Sequence, residues 1–380
     1  MRFPRSRQRD RVQSSDEPPD MARATAAGRL ESRSPAQESG WPAWSDPVAA
    51  ERLRDIVRGG QIGQCYLLSG PRGTGKSALV RAFAQALMCE QPAETDLALP
   101  CGVCRSCRNS LRDAHPDIER FDLHAQSILL EGKIGKGTTL TIEMVRQMRA
   151  AAALLPVEAS RRLVIVDDAE TLLEPAQQAL LKTLEEPPRT VTIVLLCDEP
   201  EALLATVRSR CQEIAVRPQP VSAISQALLG RGVNGELAGE IALLSRGSAA
   251  WAVEAAHDSA LLKVRRDARE AAAAWLAGST YDRLATAYRL GDQFTKRRDD
   301  VIATVQMVVQ LLREELLRVA GTSALRQDDD QLASEGTLAT LARALSSTLQ
   351  CLSDFDANVR PRLAMEAMVL SWPSSGRETG

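Results

Sequence analysis

Two runs of consecutive apolar residues interrupt an otherwise amphipathic chain. Leu163-Val164-Ile165-Val166 is continuous and mostly β-branched, and Val191 to Leu196 is broken only by the β-branched Thr192; both are followed by acidic residues, Asp167-Asp168 and, after Cys197, Asp198. A strand buried on both faces has this appearance, because helices cover both sides of a parallel sheet. A third run, Cys65-Tyr66-Leu67-Leu68-Ser69, reads as another buried strand, and His115 to Phe121 leads into a shorter one. Between these runs the apolar residues take helical spacing. Val48, Leu53, Ile56 and Val57 mark one helix, and Ala78 to Leu87 another. Thr141 to Leu155 buries Ile142, Val145 and Met148, and a further helix lies around Pro175 to Leu184. Strands alternating with helices predict a doubly wound α/β domain with a mostly parallel sheet, its ligand at the carboxyl ends of the strands.

After Pro218 the strand signals stop. Residues 219–268 read as three short helices punctuated by Gly230, Gly232 and Gly247. Residues 270–372 read as helical, with long amphipathic helices at Val301 to Val319 and Leu338 to Phe355 about a polar gap, Gly321 to Glu335. Aromatic residues are only 3%, which favours helical packing over a β-sandwich. The net charge of −2 gives no bulk attraction to nucleic acid. No run of eighteen apolar residues is present, so no membrane span is expected. Residues 1–40 carry Arg2, Arg5, Arg7, Arg9 and Arg11 among Ser, Pro, Asp and Glu. They read as a disordered leader, the alternative being a nucleic-acid-contacting arm; no apolar core of a secretory signal is present. A cytoplasmic location is expected.

The candidate chemistry lies between the strands. Gly70-Pro71-Arg72-Gly73-Thr74-Gly75-Lys76-Ser77 fits the phosphate-binding P-loop and sits between a strand and a helix, as that motif requires. Its glycines let backbone N–H groups turn toward phosphate oxygens. Lys76 would reach the β- and γ-phosphates, and Ser77 would hold Mg²⁺. Downstream, the strand at Leu163 to Val166 ends in Asp167-Asp168. Asp167 is the expected Mg²⁺ partner, and Asp168 stands where a water-orienting acid is usual; a bare turn cap is the alternative. Cys89, Cys101, Cys104 and Cys107 follow C-x₁₁-C-x₂-C-x₂-C. Four soft donors in that spacing suit a closed structural Zn²⁺ site, with an Fe–S cluster or free thiols as alternatives. Arg105 and Arg108 flank the ligands and would offset their charge. Cys65, Cys197 and Cys351 read as core residues, and His115, His124 and His257 as surface or satisfied polar groups.

The P-loop, the cysteine insert after its helix, Leu180-Leu181-Lys182-Thr183-Leu184-Glu185-Glu186-Pro187-Pro188 and Arg208-Ser209-Arg210-Cys211 together resemble the clamp-loader subunits of bacterial DNA polymerase III, which are AAA+ proteins. The resemblance covers roughly residues 42–375. It implies a P-loop AAA+ domain over 41–217 with a zinc module at about 89–107, a small helical lid over 218–268 and a helical collar over 269–375. Residues 376–380 would be a disordered tail.

Two branches of the family compete, delta-prime and the tau/gamma motor. The segment Trp41 to Arg58 lacks the motor's Tyr-Arg-Pro and Val-Gly-Gln elements. Asp167-Asp168 replaces Asp-Glu, Cys197-Asp198 lacks the hydroxyl pair of sensor 1, and Gly247-Ser248-Ala249-Ala250-Trp251 lacks the arginine of sensor 2. These departures favour the delta-prime branch. The resemblance then implies a subunit that binds ATP or ADP with Mg²⁺ but turns it over weakly. It also implies that Arg210 serves as an arginine finger in a neighbouring subunit's ATP site. Partners would be the tau/gamma and delta subunits and, through the assembly, the sliding clamp and primed DNA. A zinc-containing nucleotide-binding regulator outside replication is the reading from a different class.

Overall fold

Five parallel strands form one sheet in the computed structural model: β1 (Cys65–Ser69), β2 (Ile118–Phe121), β3 (Arg162–Val166), β4 (Val191–Cys197) and β5 (Gln212–Ala215), ordered β2-β3-β4-β1-β5. The structure describes residues 40–94, 96–129, 139–320, 338–357 and 359–373. The expected leader up to residue 39, the Gly/Lys-rich link at Glu131 to Gly137, the polar gap at Gly321 to Glu335 and the tail at 376–380 lie outside them.

Every residue of β1, β3 and β4 is buried, including the polar Ser69, Arg162 and Thr192. Alternation then sorts each strand's side chains between two layers. Val164, Val166, Ile193 and Leu195 pack with Met144, Met148 and Leu180 on one face. Leu163, Ile165, Val194 and Leu68 pack with Leu53, Leu79 and Phe83 on the other. The first layer is covered by α5 (Ile142–Ala152) and α6 (Glu174–Glu185). The second is covered by α1 (Pro47–Arg58) and α2 (Lys76–Met88). Short helices α3 (Arg105–Leu111), α4 (Leu123–Leu129) and α7 (Ala205–Arg208) fill the connections. Each large side chain buried this way contributes about 1.5–3 kcal/mol. Asp46 joins the layers to the chain that follows. It caps α1 by accepting from the Val48 N–H at 3.0 Å, and its second oxygen accepts from the Arg217 N–H at 2.8 Å.

Two polar residues at the edge of the sheet are buried by design of their hydrogen bonds. Asp117, just before β2, accepts from the N–H groups of Val157, Glu158 and Ala159 at 2.6, 2.8 and 2.7 Å. Desolvation pushes its carboxyl up, but these donors prevail and hold it below the ordinary aspartate value. His115 is buried rather than superficial, with Nδ1 accepting from the Asp117 N–H at 3.1 Å and Nε2 3.2 Å from Ser106 Oγ.

From Val221 onward the described chain is helical: α8 (Val221–Leu229), α9 (Gly235–Leu244), α10 (Ala249–Ala255), α11 (Ser259–Ala277), α12 (Thr280–Gln293), α13 (Arg298–Val319), α14 (Leu338–Asp356) and α15 (Pro361–Leu370). Gly232 and Gly247, both at positive φ, fall between helices, as the punctuation predicts. One continuous apolar cluster runs through these helices, including Leu228, Ile241, Val253, Trp275, Val305, Val308, Met365 and Trp372. The expected border at 268/269 falls inside α11, which continues through it. Val301, Val305, Val308 and Leu312 line one stripe of α13, the helical spacing that its sequence shows.

Candidate functional site

The loop between β1 and α2 is shaped by its glycines. Gly73 has φ +80°, and a Cβ there would meet Ser248 Oγ at 2.1 Å. Gly75 has φ +99°, and a Cβ there would lie 2.9 Å from the Trp44 ring. A side chain at either position would be strained by its backbone and blocked by its neighbour. The loop is therefore held between Trp44 and the start of α10. Ser248 Oγ and the Ala250 N–H both donate to the Gly73 carbonyl, at 3.0 and 3.2 Å. No arginine of Gly247 to Trp251 stands there, as the sequence states.

No side chain caps α2, whose N-cap is Gly75. The first-turn N–H groups and the positive end of the helix dipole are thus free to meet an anion. Ser77 lies exposed in that first turn. Lys76 is 7% exposed, and its ammonium is engaged: Nζ donates to the Gly70 carbonyl at 2.5 Å, the Pro71 carbonyl at 3.2 Å and Asp198 Oδ1 at 2.5 Å.

Asp167 and Asp168 emerge from the end of β3. Because β4 lies between β1 and β3, the residue after β4, Asp198, comes up between the loop and this acidic pair. Burial pushes the Asp167 carboxyl above its ordinary range, against the opposing pull of the Arg120 guanidinium, whose Nη1 donates to Oδ2 at 2.5 Å. Asp168 sits at φ +50°. Burial raises its carboxyl as well, and the negative charge of Asp198 adds to the shift while Arg72 and Lys76 oppose it. The structure thus brings together Gly70, Gly73, Gly75, Lys76, Ser77, Asp167 and Asp168. It adds Arg120, which the sequence reading did not place in the site, and gives Asp198, noted from the sequence only as part of the sensor 1 segment, a direct contact with Lys76. The signal for Asp198 was its position directly after a buried strand. The signal for Arg120 was a charged pair, Glu119-Arg120, inside a strand bounded by Ile118 and Phe121.

Arg210 stands apart from this group. It lies in the turn between α7 and β5, about one-third exposed, and donates to Glu185 Oε1 at 2.6 Å and to the Thr206 carbonyl at 2.9 Å.

The four predicted cysteines also converge. The sulfurs of Cys89, Cys101, Cys104 and Cys107 all lie within 4.8 Å of one another, Cys107 buried and the rest half-buried. Backbone N–H groups of Cys101, Cys104 and Cys107 donate to the sulfurs of Cys89, Cys101 and Cys104, each at 3.3 Å. Hydrogen bonds from the backbone N–H groups of Val103 and Cys104 lower the Cys101 thiol to about 7, whereas burial raises those of Cys89 and Cys107. A soft, compact, N–H-supported donor set of this kind fits Zn²⁺. Of the two flanking arginines, Arg105 is drawn off to Glu158, 3.2 Å away. Cys65, Cys197 and Cys351 are buried, as expected of core residues.

The sequence model of a family described as "DNA polymerase III, delta subunit" matches residues 45–220. That interval holds the whole sheet, the loop, both acidic residues, the cysteine cluster and Arg210. The delta' subunit of DNA polymerase III from Pseudomonas aeruginosa is 33% identical over 50% of this chain and 54% of its own length. The Escherichia coli K12 delta' subunit is 34% identical over 47% of this chain and 50% of its own length. Over these residues the chain is similar to the DNA polymerase III delta' and gamma/tau subunits. The gamma/tau subunit of Mycobacterium tuberculosis H37Rv is 36% identical over 45% of this chain but 27% of its own length. The match thus spans about half the length of the curated delta' subunits and about a quarter of that gamma/tau subunit. The helical half beyond residue 220 lies outside the matching family model.

Proposed function

We propose that this chain is a delta-prime-type AAA+ subunit of a bacterial clamp loader, a nucleotide-binding member of the assembly that places the sliding clamp on primed DNA. The observation that carries this reading is an intact phosphate loop whose surroundings depart from those of a motor. Its lysine is held by Asp198, Asp167 is held by Arg120, and no arginine is supplied by Gly247 to Trp251. Binding requires the loop, Lys76 and Ser77. Turnover also requires a placed water and cations aimed at the developing charge. Gly70, Gly73, Gly75, Lys76 and Ser77 would hold the phosphates of ATP or ADP, and Ser77 with Asp167 would hold Mg²⁺. That ion would supply charge neutralisation between the phosphates. Asp168 is the water-orienting candidate, one methylene shorter than the usual glutamate. Zn²⁺ at Cys89, Cys101, Cys104 and Cys107 would have a structural role only.

Arg210 acts on a neighbour in this reading. It is partly exposed, and a guanidinium spreads its constant charge over several phosphate oxygens. Residues 41–217 form the nucleotide-binding domain, the short helices α8 to α10 the lid, and the helices from α11 onward the collar that docks beside the tau/gamma and delta subunits. The location is cytoplasmic. Reconstitution tests the reading: the chain is mixed with tau/gamma, delta, clamp and primed DNA, and ATP turnover and clamp loading are measured. Arg210→Ala should lower the assembly's turnover while leaving assembly intact. Assembly without any need for this chain, or full turnover with Arg210→Ala, would defeat it.

A further inference from the structure

A lysine ammonium has three N–H donors. In Lys76 all three are committed: two to loop carbonyls and one to the carboxylate of Asp198. The Asp198 side chain is about three-quarters buried, and its backbone N–H donates to Glu170 Oε2 at 3.0 Å, which fixes the start of the loop that carries it. This carboxylate therefore stands against the one side chain on which phosphate binding depends.

We infer that Asp198 is a specificity residue that occupies Lys76 in the empty site and biases the loop toward nucleoside diphosphates over triphosphates. The inference rests on the nucleotide-binding reading above. When phosphates engage Lys76, Asp198 gives up the only ion pair it makes among the described residues. It is left beside the phosphate chain as an unpaired negative charge. Arg120, a nearby cation, is committed to Asp167. A triphosphate brings one more negative charge into this surrounding than a diphosphate and is disfavoured more. Asparagine at 198 keeps the shape and an oxygen that can accept from Lys76, but removes the charge.

The test is a titration of full-length wild type and Asp198→Asn with fluorescent ADP and a fluorescent β,γ-imido analogue of ATP in Mg²⁺, beside thermal melts without nucleotide. Asp198→Asn should tighten the triphosphate by about 10-fold and the diphosphate by less, so that the preference for diphosphate narrows or reverses. In the melts it should lower the Tm of the nucleotide-free protein, since the buried Lys76 ammonium is left without its counter-charge, whereas Asp198 left alone would still reach solvent. Asp198→Ser gives the same readout if the asparagine variant folds poorly. A triphosphate affinity that is unchanged or weaker would overturn the inference, the weaker case pointing to Asp198 as a metal partner. Equal tightening of both nucleotides would also overturn it. If neither protein binds either nucleotide, the nucleotide-binding reading falls together with it.

Discussion

The phosphate loop and the cysteine cluster lie on the same domain and were both read from residue spacing, yet they satisfy their polar groups in opposite ways. Around the loop, opposite charges pair within the chain: Lys76 with Asp198, and Asp167 with Arg120. The site is neutralised before any ligand arrives, and a ligand must displace one of its own partners. In the cysteine cluster the four sulfurs are alike and supported by backbone N–H groups. A site of the first kind keeps its fold when empty and gains selectivity. A site of the second kind would depend on an ion for local structure.

Removing the cation from the cysteine cluster should produce the largest effect. Purified protein should carry about one Zn²⁺ per chain by elemental analysis, and Cys104→Ser should abolish it. Chelation or that substitution should cost about 3 kcal/mol or more of stability in thermal or denaturant unfolding. A fully stable, metal-free protein would remove the contrast. Next, Lys76→Ala should weaken nucleotide binding by about 100-fold or more while changing stability little, because the Asp198 it leaves behind reaches solvent. Calorimetry and melts on the same sample separate the two effects.

Gly73→Ala sharpens the comparison from the side of the backbone. Positive φ and the contact with Ser248 should cost about 1–3 kcal/mol and loosen the loop from α10, while the metal content stays unchanged. The smallest effect concerns pH. The Asp168 carboxyl is raised in the folded protein, chiefly by burial. The stability tied to its protonated form is present below the ordinary aspartate value of 3.8 and is lost as pH rises through the folded value. Asp168→Asn should therefore raise the Tm slightly at pH 7, and the gain should vanish as pH falls below about 4. A gain that persists in acid would remove the electrostatic cause.

The buried strands and the long helices were legible because one physical signal, apolar periodicity, dominates each of them. β5 was not legible: at the sheet edge Gln212, Glu213 and Ala215 are exposed and only Ile214 is buried. Helices as short as α3 and α7 have too few turns to show a period. The P-loop and the cysteine set were legible because their residues are close in sequence. The pairs that give the loop its character join residues 122 positions apart, in Lys76 and Asp198, and 47 apart, in Arg120 and Asp167. They exist only because β4 lies between β1 and β3 and β2 lies beside β3, an order that spacing along the chain does not encode. The same holds for Asp117, whose three N–H donors lie about 40 residues downstream.

The central claim is a loop that binds nucleotide without driving its own turnover. Steady-state ATP hydrolysis by the purified chain, measured with ATP affinity on the same preparation and beside Lys76→Ala, tests it most directly. The account predicts binding that Lys76→Ala abolishes, with turnover indistinguishable between the two proteins. Robust turnover in the wild type that Lys76→Ala removes would contradict it and make the chain a motor.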